Sequence, residues 1–357
     1  MTRLLVVGNG SIATDGRGHP FVHIHNAGLL TALARDGFTV THLAPTTAYD
    51  DKLSFHNTDV SGSGVRVVGL RGPLSVFRLV REVWRADHVY LFFPGTIPRI
   101  GSLICRALRK PYGLYVRGER WDGPLDWTAL SGARFILTVS PTLEASLREY
   151  CADVATILPM TIVGMDDTAP VIRPSGGPIR LLFVGNLLPA KGLAELLSAC
   201  SLMKASGLDF TLRIVGSGAM AHDLARRIAT EGLSEHVSLV GLISDKADLM
   251  AEYEAADVFV LPTHHEGFPR VLYEAMAKGC AVVTTMVGGI PGRMRDGENC
   301  VAVPVCDPPA LAAAITRLAQ SPQTRAVIGE SGRQTVRTVL TTHQPHDILI
   351  ARRIIQH

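Results

Sequence analysis

The chain has 357 residues, of which 47% are hydrophobic and 19% are charged, and its formal net charge is only +3. This composition is typical of a globular protein that is long enough to form two domains with separate cores. The low total charge and the lack of an aromatic stacking platform argue against nucleic acid as a partner.

Strand-like and helix-like segments alternate along the whole chain, which predicts α/β architecture with parallel sheets. We expect two doubly wound, Rossmann-like domains that face each other across a cleft. The first domain is predicted over residues 1–165 and the second over residues 179–340. Residues 166–178 are rich in proline, glycine and polar residues and are the expected linker. Residues 341–357 are expected to form a C-terminal helix that could pack back on the first domain.

The first domain begins directly with a strand, which is followed by Gly8-Asn-Gly10-Ser11. Pro20 suits the first turn of a helix, because a missing N–H does no harm there. The apolar residues that follow Pro20 recur at helical spacing. Strands are predicted at Leu4–Val7, Thr39–Leu43, Val65–Gly69, His88–Phe93, Gly113–Val116, Phe135–Val139 and Ala155–Leu158.

Residues 66–120 contain eleven basic residues against three acidic ones. Apolar residues such as Phe77 and Trp84 are interleaved with them, so this region could rest on an anionic membrane surface. A solvated basic helix face explains the same pattern equally well, and both readings stay open at this point.

No charged-then-apolar export signal precedes the first strand, and no apolar run reaches about 18 residues. The six cysteines form no Cys-x-x-Cys pair and lie mostly in apolar runs. We therefore expect a cytoplasmic protein with reduced thiols, with peripheral attachment to the inner face of the membrane as an alternative.

The most informative segment of the second half begins at Glu266 and contains a second carboxylate, Glu274, eight residues later. The run Asp257–Leu261 before it predicts a buried parallel strand. Pro269 fits the first turn of the next helix, and Gly267 gives the approach loop freedom in φ. The amide N–H groups of Arg270 and Val271 would then face outward and suit a diphosphate.

This segment resembles the Glu-x7-Glu signature of retaining family 4 glycosyltransferases, which have the two-domain GT-B fold. Other blocks occur in the order seen in that family, so the resemblance covers about residues 179–340. The blocks are Leu182–Gly192 at the donor-phosphate loop, Arg213–Gly218 and His236–Gly241 at the following strands, and Cys280–Thr285 with Gly288–Pro291 after the signature.

The resemblance implies transfer of a sugar, with retained configuration, from a nucleoside diphosphate sugar to a hydroxyl group. Uridine is preferred over guanosine for the base. The acceptor would be a glycan, a glycolipid or a lipid-linked molecule, in cell-surface polysaccharide or glycoconjugate biosynthesis. Front-face transfer assisted by the leaving phosphate needs no protein nucleophile, and none is assigned.

In this scheme Lys191 and Glu266 are catalytic, with Lys191 stabilising charge on the leaving diphosphate and Glu266 orienting the donor sugar. Glu274 would hold the ribose hydroxyls. The remaining residues expected at the donor are Asn186, Gly216, Gly267, Phe268, Pro269, Arg270 and Val271, with Gly10 and Ser11 contributed by the first domain.

The first domain departs from the family pattern. Arg117 stands where relatives often have a histidine, and Asn186 stands in place of a common arginine. Arg117 is therefore a third catalytic candidate, and Arg17 is an alternative source of the missing cation.

No cofactor and no metal is expected. The chain contains no Asp-x-Asp motif. The pairs His23 with His25 and His264 with His265 have no third ligand at a recognisable spacing. Two other function classes stay open, a noncatalytic GT-B nucleotide-binding protein and a nucleotide-sugar epimerase.

Overall fold

The computed structural model describes residues 1–8, 10–15, 17–49, 58–72, 74–117, 123–139, 141–157, 163–174, 176–243 and 245–355, without the side chains of residues 24 and 25. The chain divides into two compact units. Unit 1 contains Met1–Met160 together with His343–His357, and unit 2 contains Thr161–Thr342.

Unit 1 is a twisted sheet with helices in the connections between most of its parallel strands. Its elements are β1 (Arg3–Val7), β2 (Ile12–Thr14), β3 (Pro20–Val22), α1 (Ile24–Arg35), β4 (Thr39–Ala48), β5 (Thr58–Asp59), β6 (Arg66–Leu70), α2 (Ser75–Arg85), β7 (His88–Phe93), α3 (Thr96–Ala107), β8 (Tyr112–Val116), α4 (Pro124–Ser131), β9 (Phe135–Thr138), α5 (Pro141–Leu147), β10 (Val154–Thr156) and, from the C-terminus, α12 (His346–Ile355).

The parallel strands of unit 1 lie in the order β10-β9-β8-β7-β1-β4-β6. Their side chains are mostly buried, as expected of strands that helices cover on both faces. Each of the seven predicted strands overlaps one of these strands. Leu158, the predicted end of the last one, lies outside the described residues.

The short strands β2, β3 and β5 were not predicted, and they correct the interpretation of Pro20. Pro20 does not begin a helix but opens β3, which pairs antiparallel with both β2 and β5. Helix α1 begins at Ile24 instead. Three-residue strands are too short to show an alternating pattern, so the sequence does not distinguish a strand-initial proline from a helix-initial one.

The C-terminal helix α12 packs within unit 1 through a buried histidine. The His346 Nε2 atom and the Tyr90 hydroxyl share a hydrogen bond of 2.7 Å, and the His346 ring lies 4.7 Å from the ring of Tyr115. Burial, and then the charge of Arg117, lowers the pKa of His346 to about 3, so this side chain is neutral at pH 7. At the far end of the helix, Arg353 forms an ion pair with Asp153 at 2.8 Å.

Unit 2 has a six-stranded, fully parallel sheet in the order β13-β12-β11-β14-β15-β16. Its elements are β11 (Ile179–Val184), α6 (Leu193–Ala205), β12 (Phe210–Val215), α7 (Ala221–Thr230), β13 (Val237–Gly241), α8 (Lys246–Ala255), β14 (Val258–Leu261), α9 (Val271–Ala277), β15 (Ala281–Thr285), β16 (Val301–Val303), α10 (Pro308–Gln320) and α11 (Pro322–Thr342). The strand order reverses direction between β11 and β14, and such a switch point is where open α/β sheets bind ligands.

The expected linker, residues 166–178, belongs to unit 2, which begins at Thr161 rather than near residue 179. Asp167 forms an ion pair with Lys246 at 2.8 Å. Arg173 donates hydrogen bonds to the carbonyl oxygens of Lys278 and Tyr253 at 2.7 and 3.1 Å. Composition suggested a linker, but these polar side chains tie the segment to the second core.

None of the described helices is both long and apolar enough to cross a lipid bilayer. All six cysteines are free thiols; five of them are buried, and Cys306 is exposed.

Candidate functional site

Two loops meet at the switch point of unit 2. The first follows β11 and runs from Gly185 to Gly192, and the second follows β14 and runs from Pro262 to Arg270. Both leave the carboxyl ends of neighbouring parallel strands, so they emerge at the same edge of the sheet. These are the loops on which sequence analysis placed Lys191 and Glu266.

Lys191 and Glu266 form an ion pair between the two loops, with the Lys191 Nζ atom donating to Glu266 Oε1. The side chains are 21% and 13% exposed, so the pair is partly withdrawn from water but still reachable from it. A lysine ammonium has three N–H donors, and the carboxylate takes only one of them. Lys191 can therefore bind a second anionic oxygen without releasing Glu266.

A buried threonine that was not predicted connects the same two loops. Thr263 is fully buried, and its hydroxyl donates to the carbonyl oxygen of Ala190 at 2.9 Å. The backbone N–H of His264 donates to the same oxygen at 2.8 Å. These bonds fix the backbone beside Lys191 to the backbone beside Glu266, so the ion pair has a rigid frame.

Two glycines allow the close backbone contacts that this frame requires. Gly192 has a φ of +71°, and a Cβ atom there would lie 2.0 Å from the carbonyl oxygen of Pro262. Gly288 has a φ of +56°, and a Cβ atom there would lie 1.7 Å from the carbonyl oxygen of Glu266. Only glycine fits either position without moving the loop. The turn at Gly288 thus supports the Glu266 backbone from a third segment.

Gly216 also allows a close backbone contact, in this case with the first loop. Its φ is +142°, and a Cβ atom would lie 1.9 Å from the carbonyl oxygen of Gly185. In the turn that contains Gly216, the carbonyl oxygen of Ser217 accepts a hydrogen bond of 2.9 Å from the backbone N–H of Leu187. Asn186, between these contacts, is exposed at the end of the strand. Donor contacts by Gly216 and Asn186 stay a prediction.

The start of α9 differs from the expectation in one respect. The helix begins at Val271, so Pro269 lies before its first turn rather than in it. Hydrogen bonds of the 3₁₀ type, which span three residues, lead into the helix. The N–H of Leu272 donates to the Pro269 carbonyl, and the N–H of Tyr273 donates to the Arg270 carbonyl. Phe268 is buried, with its ring 4.8 Å from that of Tyr273, and therefore packs in the core. The carbonyl oxygen of Gly267 accepts a hydrogen bond of 2.6 Å from the backbone N–H of Gly289.

Glu274 lies in a more enclosed position than Glu266. It is 4% exposed, and its Oε2 atom accepts a hydrogen bond of 2.8 Å from the fully buried Tyr253 hydroxyl. Burial raises the pKa of Glu274, and the Tyr253 hydrogen bond and the charge of Arg270 oppose that rise. The predicted contact between Glu274 and a ribose stays a prediction. A ribose would have to reach a carboxylate that is almost completely buried.

The candidates of the first domain lie in unit 1. Gly10 and Ser11 follow β1, at the point where the strand order of that unit reverses. Arg117 follows β8, and its guanidinium lies 5.7 Å from the ring centres of both Phe92 and Tyr115. Arg17 is exposed in a turn whose backbone N–H groups bond to Asp15. Their participation in a shared site with Lys191 and Glu266 stays a prediction.

Sequence analysis missed a cluster of three potential metal ligands beside this site. Glu195 in α6, His264 in the second loop and Cys306 after β16 place their ligand atoms within 4.8 Å of one another. Spacing along the chain suggested that His264 had no such partners. The partners come from distant segments, and no local pattern marks them.

The second half of the chain is similar to a known protein family. Residues 166–335 match the family model described as glycosyl transferases group 1. The matched residues all lie within unit 2. The amylovoran biosynthesis glycosyltransferase AmsK of Erwinia amylovora is 33% identical over 172 residues, which are 46% of this chain and 42% of AmsK. The chain spans about two fifths of the length of the first curated relatives that it matches.

Solved structures extend the fold likeness to the whole chain. The sucrose-phosphate synthase of Thermosynechococcus elongatus has a TM-score of 0.72 at 21% identity and covers 100% of this chain and 99% of its own. Anabaena HepE, solved in complex with UDP-glucose, has a TM-score of 0.73 at 17% identity and covers 100% of both chains. The prediction of two Rossmann-like α/β domains of the GT-B type is therefore confirmed for the fold.

Proposed function

We propose that the protein is a retaining glycosyltransferase. It transfers a sugar from a nucleoside diphosphate sugar, UDP in preference to GDP, to a hydroxyl group of a glycan or lipid-linked acceptor. The observation that carries this proposal is the Lys191–Glu266 ion pair, which joins the two loops at the switch point of the group 1 glycosyl transferase domain.

The division of labour follows from the charges. The spare N–H donors of Lys191 would hold the diphosphate and stabilise the negative charge that develops as the sugar leaves. Glu266 would accept hydrogen bonds from the donor sugar and keep Lys191 in place. Since Lys191 already supplies the positive charge, the transfer step would need no Mg²⁺ or Mn²⁺.

The pathway is proposed from the relatives. AmsK is named for amylovoran biosynthesis, and WcaL of Salmonella typhimurium, 33% identical over 155 residues, is named as a putative colanic acid biosynthesis glycosyltransferase. Both names support assembly of a surface polysaccharide. The UDP-glucose complex of HepE supports a uridine donor.

A donor panel tests the proposal. The unfolding temperature is measured with UDP, GDP and their sugars, and hydrolysis or transfer is followed by NMR without added Mg²⁺ or Mn²⁺. We expect UDP sugars to raise the unfolding temperature, because a ligand that binds only the folded state stabilises it. The transferred sugar should keep the anomeric configuration that it has in the donor. Binding of a nucleotide sugar without turnover in the presence of candidate acceptors would favour the noncatalytic alternative. Conversion of the donor into an epimeric nucleotide sugar, without transfer, would favour the epimerase.

We also propose that α2 of unit 1 attaches the enzyme to the cytoplasmic face of a membrane, where a lipid-linked acceptor would be found. Phe77 and Trp84 are 73% and 66% exposed, which is unusual for large apolar side chains in the same short helix. Arg78, Arg81 and Arg85 lie on this helix as well. Apolar and cationic side chains together suit an anionic bilayer surface.

Replacing both Phe77 and Trp84 by serine should reduce binding to phosphatidylglycerol vesicles at least tenfold, because each buried aromatic side chain contributes about 1.5–3 kcal/mol. Vesicle co-sedimentation measures the effect. Val327→Ser removes an apolar side chain of unit 2 that is 55% exposed, and it serves as the control. Equal binding by both variants, or equal binding to neutral vesicles, would contradict membrane attachment through α2.

A further inference from the structure

The ligand atoms of Glu195, His264 and Cys306 approach each other from three segments of unit 2. His264 Nε2 lies 3.2 Å from Glu195 Oε1 and 3.6 Å from Cys306 Sγ. A tetrahedral zinc ion with bond lengths of about 2.0–2.3 Å would separate neighbouring N and O ligands by about 3.3 Å, and N and S ligands by about 3.6 Å. The two measured distances match these edges.

The three donor types also agree with zinc. Imidazole nitrogen, thiolate sulfur and carboxylate oxygen are its usual protein ligands, and a mixed set of this kind does not suit Mg²⁺ or Ca²⁺. Three protein ligands leave one position for water, as in open zinc sites. Cys306 is exposed, so an ion can enter the cluster from solvent.

Hydrogen bonds among the three side chains do not satisfy the cluster. Glu195 interacts with both His264 and Cys306, but its Oε2 atom is buried and has no hydrogen-bond partner among the described residues. A buried carboxylate oxygen without a partner is costly. A cation bound between the three side chains would compensate this carboxylate.

We propose that Glu195, His264 and Cys306 bind a zinc ion. The site lies beside the candidate donor site, because Glu195 is in the first turn of α6, just after Lys191, and His264 is two residues before Glu266. A bound ion would therefore fasten the two loops to each other and to the segment after β16. Its role is to restrain these loops, and it takes no part in the transfer step.

The test uses the full chain after treatment with a chelator, followed by titration with ZnCl₂ and, as a spectroscopic probe, CoCl₂. One equivalent of zinc should bind, and a hundredfold excess over Kd should raise the unfolding temperature by roughly 3–4 °C. Cobalt should give the strong visible bands of four-coordinate geometry and a near-ultraviolet thiolate charge-transfer band.

Matched variants locate the ion. Cys306→Ser should abolish the charge-transfer band, and His264→Ala should weaken binding at least tenfold. His265→Ala removes the exposed neighbouring histidine and should bind as the unchanged protein does. A six-coordinate cobalt spectrum, or zinc affinity that is the same in Cys306→Ser and in the unchanged protein, would overturn the proposal. These readouts do not depend on sugar transfer, so they stand or fall separately from the proposed activity.

Discussion

Replacing Lys191 by methionine or Glu266 by glutamine should each lower kcat for sugar transfer by about 100- to 1000-fold, the effect of removing one electrostatic contact from a transition state. Methionine keeps the length of the side chain but removes the charge that would face the diphosphate. Glutamine keeps the shape of Glu266 but breaks its ion pair with Lys191. The double variant should be little worse than the poorer single variant, because the two side chains act as one unit.

Glu252→Gln is the matched control. Glu252 forms an ion pair with Arg213 in the same unit, and its side chain is 14% exposed, against 13% for Glu266. The two carboxylates are equally enclosed, so the two glutamine variants should have unfolding free energies within about 1 kcal/mol of each other. Equal loss of activity in Glu252→Gln and Glu266→Gln would show that Glu266 acts only through folding.

Gly288→Ala should destabilise the protein by about 2–5 kcal/mol, the cost of left-handed backbone plus that of overpacking, and greatly reduce transfer. The new Cβ atom would lie 1.7 Å from the carbonyl oxygen of Glu266, so either the turn or the Glu266 loop must move. A displacement of about 1 Å at a reacting group can reduce turnover about 100-fold. Urea unfolding followed by far-ultraviolet circular dichroism, which reports on the helices of both units, together with kcat, measures both effects.

Gly297→Ala separates the clash from backbone strain. Gly297 also has a positive φ, +75°, but a Cβ atom there would meet nothing within 4 Å. It should cost only the left-handed penalty, about 1–2 kcal/mol, and leave kcat unchanged. If the two alanine variants lost the same stability and the same activity, the contact between Gly288 and Glu266 would have no special importance.

Much of the fold could be predicted because parallel strands have a strong local signature. The run Val258–Leu261 is fully buried, as its continuous apolar character predicted, and all seven strands predicted in the first domain overlap observed ones. Predictions failed where the signature is short or where polar contacts decide. Pro20 lies in a three-residue strand, and the segment around Arg173 is fastened to unit 2 by hydrogen bonds that composition does not reveal.

The sequence alone determined the alternation of strands and helices and the two loops that carry Lys191 and Glu266, and the expected chemistry came from its resemblance to a glycosyltransferase family. Only the tertiary structure decided that these two residues, 75 positions apart, form an ion pair, that Glu274 is enclosed against Tyr253, and that His264 meets Glu195 and Cys306. The physical reason is that sequence patterns describe neighbouring residues only. Periodicity and turn residues report what each segment buries locally, whereas contacts between segments depend on the order of strands in the sheet.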